Sequence, residues 1–116
     1  MRTIIAGSRD ITDAGLVALV VESAPWEITS VICGMARGVD TLGAAWARAR
    51  GIPVVEYPAD WLAHGRAAGA IRNSAMAAAA DALIVIRYPH SRGSADITQK
   101  ARARKLVVLD HVLDGR

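Results

Sequence analysis

The chain has 116 residues, 53% hydrophobic and 22% charged, with a net charge of +3; that suits one compact domain over 1–116 and leaves no room for a second. No apolar run approaches the ~18 residues of a membrane span and no basic-then-apolar leader opens the chain, so a cytoplasmic protein without membrane contact is expected. The charge is mild and its two signs are interspersed, which permits nucleic acid as a partner without implying it.

Thr3 to Ala6 form a short, β-branched run of strand type, stopped by Gly7-Ser8-Arg9. Thr12 or Asp13 can cap a following helix, in which Leu16, Val17, Leu19, Val20 and Val21 recur at helical spacing until Ser23 and Pro25. Val31, Ile32 and Cys33 form a second strand, broken at Gly34 and Gly38 before a helix entered through Asp40. Cys33 is the single cysteine, which excludes an intrachain disulfide and a cysteine-based zinc cluster; a buried strand residue is expected. Leu42, Ala45, Trp46 and Ala49 are read as the packing face of that helix, which Gly51 ends.

Ile52 to Tyr57 read as a third strand, and Pro58 to Trp61 as a loop. Gly65 to Ala80 read as one alanine-rich helix with Ile71, Ala75, Ala78 and Ala79 as its packing face; Gly69, Arg72, Asn73 and Met76 share an adjacent stripe. Ala82 to Ile86 are apolar throughout, the mark of a strand covered on both sides. A turn-rich loop, Arg87 to Asp96, leads to a helix over about Ser94 to Arg104, then a fifth strand over Leu106 to Leu109 and a tail over His111 to Arg116. Strands alternating with helices predict an α/β, Rossmann-like three-layer αβα sandwich with a five-stranded, mainly parallel sheet.

In such sheets a ligand sits beyond the carboxyl ends of the strands, near the reversal of strand order. Three strand ends carry glycine, arginine and hydroxyl groups: Gly7-Ser8-Arg9, Gly34 to Asp40, and Ser91 to Asp96. The strand-to-helix junction at Gly34, Met35, Ala36, Arg37, Gly38 and Asp40 offers unpaired N–H groups, a helix dipole and a cation to an anion such as phosphate. It also reads as an ordinary βα turn, and neither the P-loop string nor G-x-G-x-x-G is present.

Six fragments together resemble one family across nearly the whole chain. They are I-A-G-S-R-D from Ile5, C-G-M-A-R-G-V-D from Cys33, W-A-R-A-R-G-I-P-V from Trp46, Pro58-Ala59-Asp60-Trp61, Gly65 to Gly69 with Arg72-Asn73, and Arg92-Gly93-Ser94-Ala95-Asp96. The resemblance is to the YspA-like, cpYpsA-related branch of the SLOG superfamily, which also contains the Lonely Guy phosphoribohydrolases and DNA-processing protein A. It implies a Rossmann-like fold that binds nucleotides or nucleotide-derived ligands.

Lonely Guy enzymes hold a ribose phosphate and place a catalytic glutamate with P-G-G-x-G-T-x-E, and the matching residues here, from Pro89, read P-H-S-R-G-S-A-D. The resemblance makes Asp96 the candidate catalytic carboxylate and Arg72 the candidate phosphate-facing catalytic arginine. His90 and Ser91 replace two glycines, and their β-carbons restrict close backbone approach to a phosphate. Asp96 is also read as a favourable first-turn helix charge. The expected ligand-binding set is Gly7, Ser8, Arg9, Gly34, Met35, Ala36, Arg37, Gly38, Asp40, Asn73, Ser91, Arg92, Gly93 and Ser94.

No cofactor and no metal are expected, since His64, His90 and His111 lack ligand spacing. Two functions follow: a nucleotide binder acting as sensor or phosphoribohydrolase-type N-glycosidase, or a single-stranded DNA module. Lys100, Arg102, Arg104 and Lys105 form a basic cluster, but without the aromatic series that stacks bases, which favours the small ligand. A homodimer through an alanine-rich helix is also expected.

Overall fold

The computed structural model describes residues 1–114. Five strands, β1 (Arg2–Gly7), β2 (Ser30–Cys33), β3 (Val54–Glu56), β4 (Ala82–Arg87) and β5 (Val107–Val112), form one sheet in the order β3-β2-β1-β4-β5. Every pairing is parallel. The connecting helices are α1 (Ala14–Glu22), α2 (Val39–Ala49), α3 (Trp61–His64), α4 (Ala68–Ala79) and α5 (Arg92–Ala103), with a 3-10 turn at Gly65–Ala67. None is long and apolar enough to cross a membrane.

Strand alternation divides the core into two apolar layers. Ile4, Leu83 and Val85 point to a layer shared with Met76 and Ala77 of α4 and Ile97 and Ala101 of α5. Their neighbours Ile5, Ile84 and Ile86 point the other way, to Val17, Val20 and Val21 of α1 and Val39 and Ala47 of α2. Because both faces of β1 and β4 are covered, these strands read as unbroken apolar runs.

Helix faces depart from the sequence reading. On α4 the buried residues are Ala68, Asn73, Met76 and Ala77, whereas Ile71, Ala75 and Ala78 face outward and Ala79 is half-buried. Met76 on the adjacent stripe supplies the bulk that fills the core, and the methyl groups of the expected face do not compete with it. On α2 the sheet takes Gly43, Ala44 and Ala47; Leu42 and Trp46 pack at the margin of the core and Ala45 and Ala49 are exposed. Leu19 of α1 also faces solvent.

Several boundaries shift as well. The expected helix over Gly65 to Ala80 opens as the 3-10 turn Gly65–Ala67 and runs on as α4 to Ala79; Gly65, at φ +53°, divides it from α3, which Trp61 opens instead of closing a loop. Strand β3 is shorter than 52–57, and β5 runs on through His111 and Val112, which were expected in the tail; Gly115 and Arg116 of that tail lie outside the described residues.

Two helical glycines test the packing in opposite directions. A β-carbon on Gly43 would lie 2.9 Å from Ile5 Cβ and closer still to its Cγ2. Gly43→Ala is expected to lower stability by about 1–2 kcal/mol in urea unfolding, the clash outweighing the ~1 kcal/mol gain in helix propensity. In α4, a β-carbon on Gly69 meets nothing nearer than 3.7 Å. Gly69→Ala should therefore gain up to ~1 kcal/mol.

Candidate functional site

The strand order reverses between β1 and β4, and a cleft of about 310 Å³ opens at that end of the sheet. Its wall at β1 is a close backbone crossing. Ser8 N–H donates to Ile86 O (3.0 Å), Tyr88 N–H donates to Ser8 Oγ (3.0 Å), and Val39 at the start of α2 packs on Gly7. At Gly38, which adopts φ +79°, a β-carbon would run into Ser8 O and lie 2.8 Å from Arg9 Cα, so only glycine fits there.

Asp40 is the carboxylate at the centre. It is 5% exposed and accepts from Gly7 N–H at 3.4 Å. Burial pushes its carboxyl up to about 6, against the opposing pull of Arg72. Cys33 holds the loop behind it, donating Sγ–H to Asp40 O (3.4 Å) and accepting from Met35 N–H (3.3 Å). Burial raises the Cys33 thiol, which keeps it the protonated donor this contact needs.

Arg72 and Asn73 reach the cleft from α4. Arg72 donates through Nη1 to Gly34 O and through Nε to Asn73 Oδ1 (3.0 Å). Gly34 has no side chain because Asp40 Oδ2 and Arg72 Nη1 occupy that space, 2.8 and 2.9 Å from where its β-carbon would stand. Asn73, 6% exposed, passes the link to α5 by donating Nδ2–H to Asp96 Oδ2 (2.9 Å).

Across the cleft lies the start of α5, with Ser91 at its N-cap position; the Ser91 Oγ–H donates to Ser94 Oγ (2.8 Å) and not to a backbone N–H of the first turn. The first-turn N–H groups of α5 cannot be satisfied within the helix. Arg9, Arg37 and Arg92 line the same cleft and enter no hydrogen bond or ion pair among the described residues. The site thus presents three uncommitted cations and a helix N-terminus around one buried carboxyl group.

Twelve expected site residues line this cleft: Gly7, Ser8, Arg9, Ala36, Arg37, Asp40, Arg72, Asn73 and Ser91 to Ser94. Gly34 and Met35 line an adjoining chamber, and Gly38 serves the backbone crossing. Asp96 is placed differently from the expected first turn. It sits in the second turn of α5, outside the cleft lining, bonded to Asn73 and to Lys100 Nζ (2.7 Å). Outside the expected set, Ala6, Asp10, Met76, His90 and Ile97 also line the cleft, and Pro58, Ala59 and Trp61 the chamber. The proline and tryptophan within a matched fragment were the available signal.

A parallel sheet in 3-2-1-4-5 order with a polar cleft at its switch point defines a Rossmann-like α/β protein. More narrowly, the chain belongs to the YspA, cpYpsA-related SLOG family (YAcAr), whose model matches residues 1–64. Searches of curated proteins and of solved structures returned no match. The matched half supplies Gly7 to Arg9 and Gly34 to Asp40, while α4 and α5 complete the cleft from beyond it.

The raised Asp40 carboxyl sets a pH dependence. An unfolded aspartate titrates near 3.8 and the folded one near 6, so the folded state holds the proton more tightly. Stability from this group is fully present below pH 3.8 and is lost as pH rises through 6. Asp40→Asn, which keeps the neutral shape, should be more stable than wild type by about 2–3 kcal/mol at pH 7.5, an advantage that closes toward pH 4 in thermal or urea melts.

Proposed function

We propose that this protein binds a nucleotide or nucleotide-derived ligand, its phosphate seated between the Gly7-Ser8-Arg9 turn and the N-terminus of α5. The observation that carries this reading is the convergence of Arg9, Arg37 and Arg92, none committed to an internal partner, on the mouth of one cleft. Oxygen-rich anions satisfy guanidinium groups and first-turn N–H groups at once. Family membership supports a nucleotide-related ligand. Asp40, protonated or charged near neutrality, offers either a donor or an acceptor to a ligand hydroxyl.

Binding is favoured over glycosidic cleavage. The carboxylate assigned to that chemistry by resemblance, Asp96, already accepts from Asn73 and is paired with Lys100 at 2.7 Å. A positive charge that close opposes the role of stabilising a developing oxocarbenium ion. The single-stranded DNA reading draws on a basic cluster of which two members are engaged: Lys100 with Asp96 and Ala70 O, and Arg102 with Asp110. The small ligand remains the better account.

Calorimetry with the common nucleoside 5′-monophosphates tests the reading. Arg37→Ala and Arg72→Ala are each expected to weaken binding by about 1.5–3 kcal/mol, the worth of a charge-assisted hydrogen bond. Undiminished affinity in both variants would remove the phosphate from this cleft. Chromatography of the same mixtures should show no more free base with wild type than with Asp96→Asn; base release that depends on Asp96 would restore the hydrolase.

A further inference from the structure

We propose that the chamber beside the cleft is a base subsite, in which a planar heteroaromatic ring of the ligand stacks on Trp61. The inference rests on the reading of the main cleft as the phosphate site. The chamber has a volume of about 280 Å³ and shares Arg9, Ala36 and Arg72 with the cleft. A single ligand can therefore occupy both, with Arg72 at the junction.

The two compartments differ in chemistry. The cleft is lined by two carboxylates, Asp10 and Asp40, and by the hydroxyls of Ser91 and Ser94. The chamber has no carboxylate or hydroxyl in its lining; its surfaces are Trp61, Pro58, Met35 and the guanidinium of Arg72. An indole, a thioether and a guanidinium plane are groups that gain from contact with a flat π-system.

Trp61 is set apart from the other two tryptophans. The indole of Trp26 donates to Thr3 Oγ1 (3.1 Å) and that of Trp46 to Glu22 (2.9 Å), and both rings pack at the margin of the core. Trp61 donates to no group among the described residues and is 54% exposed. Its position is nonetheless built: Asp60 caps α3 by accepting from Ala63 N–H (3.0 Å). The indole stands against α4, with Trp61 Cη2 3.7 Å and Arg72 Nη2 3.9 Å from where a β-carbon on Gly69 would stand, an ordinary van der Waals distance. A large apolar ring held on a capped turn, beside a cation and open to a chamber, is a stacking platform.

The test titrates wild type, Trp61→Ala and Trp61→Phe with the four common nucleoside 5′-monophosphates and with ribose 5-phosphate, which carries the phosphate without the base. At least one nucleotide should bind wild type more tightly than ribose 5-phosphate. Trp61→Ala should cost that nucleotide about tenfold in Kd and Trp61→Phe much less, with ribose 5-phosphate unchanged in both. Emission of wild type minus Trp61→Phe should be quenched by the nucleotide and not by ribose 5-phosphate, a readout that stands even if the alanine variant misfolds. Equal losses for both ligands, no loss for either, or an unquenched difference signal overturns the stacking site. If ribose 5-phosphate binds and no base adds affinity, the phosphate site survives and the stacking site does not; if nothing binds wild type, both fall.

Discussion

The architecture depends on how closely β1, β4 and α2 meet at Gly7. Any β-carbon there would run into Ile86 O of β4 and lie 2.7 Å from a methyl of Val39, the first residue of α2. Glycine lets β1 stay in register with β4 to its last residue while α2 starts directly against the strand end. The reversal of strand order is thereby narrowed to a cleft with a backbone wall. A bulkier residue would separate the elements that carry Ser8, Arg9 and Asp40.

Charge follows from that geometry. Asp40 is buried because α2 begins against β1, and burial is the leading cause of its raised carboxyl. Arg72 offsets part of the cost by reaching over Gly34. On the far side the Asn73–Asp96–Lys100 chain is satisfied internally, so it binds α4 to α5 and leaves the cleft mouth to arginines. Buried polar groups of the described residues find partners, while the exposed Arg9, Arg37 and Arg92 of the cleft do not, an asymmetry that separates the framework from the cleft mouth.

Much of this was legible in the sequence, for identifiable reasons. Strands covered on both faces declare themselves as apolar runs, and Gly7, Gly34 and Gly93 mark strand-to-helix junctions that the parallel topology carries to one pole. Helix faces were less legible. In α4 eight of the twelve positions are alanine, glycine or serine, so periodicity has little contrast, and the lone isoleucine, Ile71, drew the packing face to the wrong side. The role of Asp96 was obscured because its partners come from both helices, and a helix starting at Arg92 puts it one turn deeper than the local pattern implied. Trp61 was missed as a lining residue because exposure of an aromatic ring is decided by tertiary placement, not by its neighbours in the chain.

The pairing of β1 with β4 also governs when the molecule becomes complete. Thr3 lies beside Ala82 and Gly7 beside Ile86, so the central pair of the sheet joins the first strand to the fourth across most of the chain. During synthesis the apolar flank of β1 waits for β4, which leaves the ribosome after β2 and β3, and the loop entropy of that closure must be met before its contacts form. The β1-β2-β3 half can assemble earlier, but it holds only one wall of the cleft. The cleft therefore arises late and all at once, as a property of the closed sheet, and an aborted chain ending near residue 64 would present an uncovered strand edge beside a single wall of it.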